Sequence, residues 1–154
     1  MHHIIFASLS RQEKGMELLL QLLEQEYAII CERKMDLVAH EEFSIQELIR
    51  QLVHEKEFVM GLLQGMRLSE YVQGLASEVA EPILACRARL DLIEQKASRQ
   101  ATRNSQLALA LLDQNAKTMQ TLFDQAVPKK TLVYGRRGAM NSVSRQGSLI
   151  SGRL

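Results

Sequence analysis

The side chains able to do chemistry are few and scattered along the chain. His54-Glu55 has the start of HExxH, the helical motif in which two histidines one turn apart grip zinc beside a general base. Position 58 is Phe, so the second ligand is missing and no zinc-hydrolase site exists there. His40 and His54 read as exposed helix residues, and nothing nominates an acid or base partner for either. Cys31 and Cys86 stand 55 positions apart with no CxxC pair and no clustered histidines, which excludes both a disulfide scaffold and a zinc site. Each reads as a small apolar helix residue in a reduced cytosolic protein. Gly135-Arg136-Arg137-Gly138 lacks the Lys-Ser/Thr ending of a phosphate loop. The chain therefore reads as a non-enzyme with no metal and no cofactor.

What remains is the chemistry of helix surfaces. The 154 residues are 46% hydrophobic, 24% charged and 5% aromatic, with two prolines and no tryptophan, which is the composition of long helices rather than strands and turns. The expected fold is all-α. The opening Met-His-His-Ile-Ile-Phe-Ala lacks the basic start of a secretory signal, and no apolar run approaches the ~18 residues of a membrane span. A cytoplasmic protein without membrane insertion is expected. A formal net charge of +1 gives no bulk argument for nucleic acid.

Charge is nevertheless segregated. Residues 127 to 154 hold six bases and no acid, leaving 13 bases against 18 acids in residues 1 to 126, a net of −5. The same stretch carries four of the eight glycines. This pattern divides the chain into a helical bundle, 1–126, and a flexible basic tail, 127–154, disordered when alone.

Within the bundle, Ser8 or Ser10 is suited to cap a first helix, along which Met16, Leu20, Leu23, Tyr27 and Ile30 recur at steps of four and three as far as about Leu37. Glu41, Glu42 and Phe43 mark a turn. Ser44 with Glu47 forms a capping box for a second helix of about 44 to 66. Residues 69 to 77 read as a short helix or irregular crossover. Pro82 suits the first turn of a long last helix, whose face carries Cys86, Leu90, Ile93, Ala97, Asn104, Leu111, Asn115 and Leu122. The architecture expected is an antiparallel, coiled-coil-like bundle of three main helices.

Two features point outward. On the first helix, Leu18, Leu22 and Ile29 project roughly 200 to 240° round from Met16 and form a second apolar stripe. It calls for cover by the third helix, by a second copy in a homo-oligomer, or by an amphipathic partner helix. On the last helix, Asn104 and Asn115 interrupt the apolar face, either to fix register or to meet a partner.

Arg103-Asn104-Ser105-Gln106-Leu107, then Thr131-Leu132-Val133-Tyr134-Gly135-Arg136-Arg137-Gly138, then Ser142-Val143-Ser144-Arg145-Gln146-Gly147 resemble the FlgN family of flagellar export chaperones. Leu22-Leu23-Glu24-Gln25-Glu26-Tyr27 and Glu55-Lys56-Glu57 fit the first two helices of that family, so the likeness covers most of the chain. It implies a cytoplasmic type III export chaperone that binds the C-terminal helices of the hook-filament junction proteins FlgK and FlgL and delivers them to the export gate FlhA. It also implies that Asn104, Leu107, Leu111 and Leu122 belong to the client-binding part of the last helix, and Tyr134 and Gly135 to the gate-docking segment. The alternative is a structural coiled-coil homo-oligomer or helical adaptor without flagellar clients.

Overall fold

In the computed structural model, residues 1–126, 131–134 and 140–143 are described. Four helices take up nearly all of them: α1, His2–Cys31; α2, Met35–Leu63; α3, Leu68–Gln73; and α4, Ser77–Ala126. The cause is a heptad pattern. Ile5, Leu9, Gln12, Met16, Leu19, Leu23, Glu26 and Ile30 follow one another on α1 at alternating steps of four and three, and all but half-buried Met16 are buried. Ile83, Cys86, Leu90, Ala97 and Asn104 keep the same period on α4, at steps of three and four and then of whole heptads. Three main helices with a long last one are the architecture that the composition and periodicity indicated.

The boundaries differ from those read in the sequence, and the pairing of α1 with α2 explains why. Ser8 meets Glu55 and Gly15 faces Leu52 and Leu48, so the numbers of facing residues add to between 63 and 67. That register puts the reversal near residue 33. Glu32, Arg33 and Lys34 make the turn, with Arg33 in the left-handed region at φ 57°. A turn at 41 to 43 would have set Glu55 against Ile29 and Ile30, burying a carboxylate among aliphatic groups. Ser44 consequently lies inside α2, its hydroxyl donating to the His40 carbonyl at 3.4 Å, and caps nothing. Ser8 likewise is no cap; α1 already begins at His2. The second helix ends at Leu63, where Gln64 (φ 50°) and Gly65 (φ 85°) reverse the chain. α4 begins at Ser77, more than a turn before Pro82.

Two apolar clusters hold residues 1–108 together. Ile5, Leu9, Val59, Leu63, Ile83, Cys86 and Leu90 form one, which Val72 of α3 joins. Leu19, Leu23, Ile45 and Ala97 form the other. The chain divides into two compact units, Met1–Ala108 and Leu109–Leu154. In the second, the segment read as a disordered basic tail contains two short strands, β1 (Thr131–Tyr134) and β2 (Met140–Val143). They pair antiparallel, Thr131 opposite Val143 and Tyr134 opposite Met140. Thr131, Val133 and Tyr134 are residue types that favour extended backbone. The rest of that segment lies outside the described residues.

Candidate functional site

Several polar groups of the bundle are committed to one another. Glu55 of α2 accepts from the Ser8 hydroxyl (2.5 Å) and from Arg11 Nε and Nη2 (2.8 and 3.0 Å), all from α1. Arg11 holds the Glu55 carboxyl below the usual carboxylate range. His54 therefore has a neighbour already bound elsewhere, although both line an open cavity of about 560 Å³ with Arg11 and Gly15. Glu13 accepts from Arg89 Nε and Nη2 at 2.5 and 3.0 Å, joining α1 to α4, and Arg89 lowers its pKa. Cys86 donates its thiol proton to Glu13 at 3.3 Å. Burial pushes this thiol up to about 11, so it is a packed donor rather than a nucleophile. Among the described residues, no group of three or more His, Cys, Asp or Glu is placed to hold a metal ion.

Asn104 occupies the deepest polar position of α4. Its Nδ2 donates to the Leu23 carbonyl and to Glu26 Oε2, each at 2.7 Å, while its Oδ1 accepts from Gln100 at 2.8 Å. At 4% exposure it is a register-setting bond between α1 and α4, and it meets no solvent-facing surface. Its partner Glu26 has its carboxyl pushed up by burial and by Glu42 and Glu41 from α2. Glu41 Oε1 is itself buried without a hydrogen-bond partner. Beside this cluster, the Arg103 guanidinium lies over the Tyr27 ring at 4.4 Å.

The second stripe expected on α1 is not one open face. Leu18 is exposed, but Leu22 packs against the Leu19–Leu23 cluster and Ile29 is half-buried. The buried seam runs through Leu19 and Glu26 rather than Leu20 and Tyr27, which turns the helix and covers two of the three stripe residues.

The large open surface is on α4 beyond its last buried residue, Asn104. Leu107 and Leu111 continue the seam and are half-buried; Asn115 is exposed. Leu109, Leu112, Met119, Leu122 and Phe123 are each more than half exposed. Leu109, Leu112, Ala116, Met119 and Phe123 recur at steps of three and four, and at 100° per residue this stripe is turned by roughly 115° from the Asn104–Leu111 line. The face expected from the periodicity keeps the old phase through Leu111 to Leu122, and the exposed stripe departs from it. The signal was available: beyond Leu111 the old seam positions become Gln114, Thr118 and Thr121. Of the four residues assigned to client binding, the structure leaves Leu122 exposed and inters Asn104.

Of the docking pair, Tyr134 is the last residue of β1, and Gly135 lies outside the described residues. No helix among the described residues is long and apolar enough to cross a membrane. No curated protein and no solved structure matches the chain. The protein family described as "FlgN protein" matches residues 1–142, which takes in all four helices, the open stripe of α4, β1 and all of β2 but Val143. With nearly the whole length matched, the chain belongs to the FlgN family.

Proposed function

We propose that the chain is a cytoplasmic flagellar export chaperone that shields the amphipathic C-terminal helices of FlgK and FlgL and hands them to FlhA. The observation that carries this reading is the stripe on α4: four large apolar side chains, with Leu122 beside them, exposed on one helix that offers no cover of its own. An apolar helix presented in water is the complement of another amphipathic helix, and the affinity is set by apolar area rather than by any reaction. Leu109, Leu112, Met119 and Phe123 form the centre of the client face in this reading, Leu122 its edge. Leu107 and Leu111 border it, and Asn104 anchors the helix that carries it. Tyr134 and Gly135 serve the gate.

Calorimetric titration of the full chain with the C-terminal segments of FlgK and FlgL tests the first half. Leu112→Gln with Phe123→Gln should abolish binding and leave the melting temperature unchanged, since both side chains are already in water. Binding that survives this pair sends the client elsewhere. Tyr134→Ala should weaken docking to the cytoplasmic domain of FlhA by about 1 to 3 kcal/mol, the range of one hot-spot residue, and spare the client. Sedimentation tests the homo-oligomer alternative: a dimer dissolved by the Leu112/Phe123 pair would mean that the stripe meets a second copy.

A further inference from the structure

A second apolar surface lies within residues 1–108 and has a different character. α2 and α4 both pack on α1 but stand apart from each other along one flank, leaving a groove whose floor is Leu9, Gln12, Met16 and Leu19. Two cavities of about 170 and 520 Å³ lie end to end in it, sharing Gln12, Lys56 and Arg87. Ile49, Val53 and Met60 of α2 form one wall, exposed by 37, 48 and 60%. Leu84 of α4, 47% exposed, stands on the other, and Met66 closes the end. From Ile49 to Leu63 the groove runs for about 20 Å, the length of roughly four helical turns.

Charge chooses the occupant. The larger cavity is lined by Lys56, Arg67 and Arg87 and by no acid, and the smaller one by Lys56 and Arg87 with Glu94 as its single acid. Arg87 is partly neutralised by Asp91 (2.5 Å) and, more distantly, Glu94; among the described residues no ion pair engages the Lys56 ammonium or the Arg67 guanidinium, although the Arg67 backbone N–H donates to Glu70 at 3.3 Å. This basic rim sits on a unit whose helices otherwise carry an excess of acids, so a partner with carboxylates is drawn to this flank and repelled from its surroundings. The methionines supply an adaptable apolar lining.

We infer that the α2–α4 groove is a second docking site, distinct from the stripe at the end of α4, that takes an amphipathic helix of about four turns with an apolar face flanked by Asp or Glu. Gln12 at the floor, 6% exposed, adds one polar group at the midpoint of the site. Two separate sites allow one chain to hold two helices at once, the second selected by its acidity.

The test uses the full chain and two labelled helical peptides of about 16 residues, identical in a Leu stripe at i, i+3, i+4 and i+7 and differing in flanking Glu or Lys. Fluorescence anisotropy should show the Glu peptide binding at least about tenfold more tightly than its Lys twin. Lys56→Glu with Arg67→Glu should invert that preference. Met60→Gln with Leu84→Gln should weaken the Glu peptide by about tenfold or more, and Leu112→Gln with Phe123→Gln should leave it unchanged. Equal affinity for the twins, no binding of either, or loss of the Glu peptide through the Leu112/Phe123 pair would each overturn the proposal. So would a dimer in sedimentation that Met60→Gln with Leu84→Gln dissolves, since a second copy would then fill the groove. The charge-reversal pair keeps the proposal open to refutation even if the Met60/Leu84 pair alters folding.

Discussion

Glu26 is the residue at which the bundle's stability meets pH. It lies in the apolar seam at 8% exposure and shares its surroundings with Glu41 and Glu42, while Asn104 Nδ2 donates to it. Burial and the neighbouring carboxylates raise its pKa, so the native state holds the proton more tightly than the unfolded chain does. Its contribution is full below the unfolded pKa and is lost as pH rises through the raised value. Glu26→Gln keeps an acceptor for Asn104 and removes the titration. The variant should melt higher than the parent at pH 8 and close to it at pH 4, a comparison thermal unfolding makes directly. Glu13 and Glu55 act with the opposite sign, because Arg89 and Arg11 depress their pKa values. Their contribution is present at neutral pH and lost on acidification through the carboxylate range. The two cysteines separate just as clearly. Cys31 is exposed, and Cys86 is buried as a protonated thiol. A maleimide at neutral pH should label one thiol per folded chain, and Cys31→Ser should abolish the labelling; fast modification of Cys86 would contradict its placement.

At the scale of the elements, α1 and α2 approach one another closely at Gly15. A Cβ at Gly15 would lie 2.9 Å from Leu52 Cδ2, the movable end of a side chain. Gly15→Ala should therefore be close to neutral, helix propensity of about 1 kcal/mol offsetting a small shift of Leu52. Gly15→Ile cannot be absorbed in that way and should cost about 2 to 3 kcal/mol of unfolding free energy by overpacking, measurable in urea. This closeness also marks the limit of what periodicity reveals. Met16, Leu23 and Ile30 were legible as seam residues because they are apolar and regularly spaced. Gln12 and Glu26 were not, because a polar residue on a seam looks like a place where the seam is absent. Tyr27 and Leu20 stood next to the true positions and looked better. The turn at Arg33 was hidden for a related reason: it contains no glycine, proline or asparagine, and only the facing of Ser8 with Glu55 and Gly15 with Leu52 requires it. On α4 the change of phase past Leu111 was present in the residues, yet a single continuous face was the simpler pattern to draw.

For the whole molecule, the placement of the core decides which parts can stand alone. Among the described residues, every buried apolar side chain lies between Ile5 and Ala97, and the last buried polar one is Asn104. Residues 1–108 therefore contain their own core and their own cross-links between helices, while residues 109–126 of α4 carry apolar side chains that are exposed. An 18-residue helical segment without tertiary cover is marginal in water by itself, so the proposed client face should gain order when a client covers it. A chain ending at Ala108 should keep a cooperative melt with a midpoint within about 5 °C of the parent, because little buried area leaves with the truncation. It should also lose FlgK and FlgL segments altogether while retaining the acidic peptide in the α2–α4 groove. A chain ending at Ala126 should recover client binding and still lack Tyr134 and Gly135, which are proposed to dock to the gate. Circular dichroism for the melts and calorimetry for the ligands distinguish the three lengths. A broad, non-cooperative transition in the 1–108 chain would mean that its stability depends on residues beyond 108. Client binding by that same chain would remove the α4 stripe from the mechanism and leave the groove between α2 and α4 as the surface that does the chaperoning.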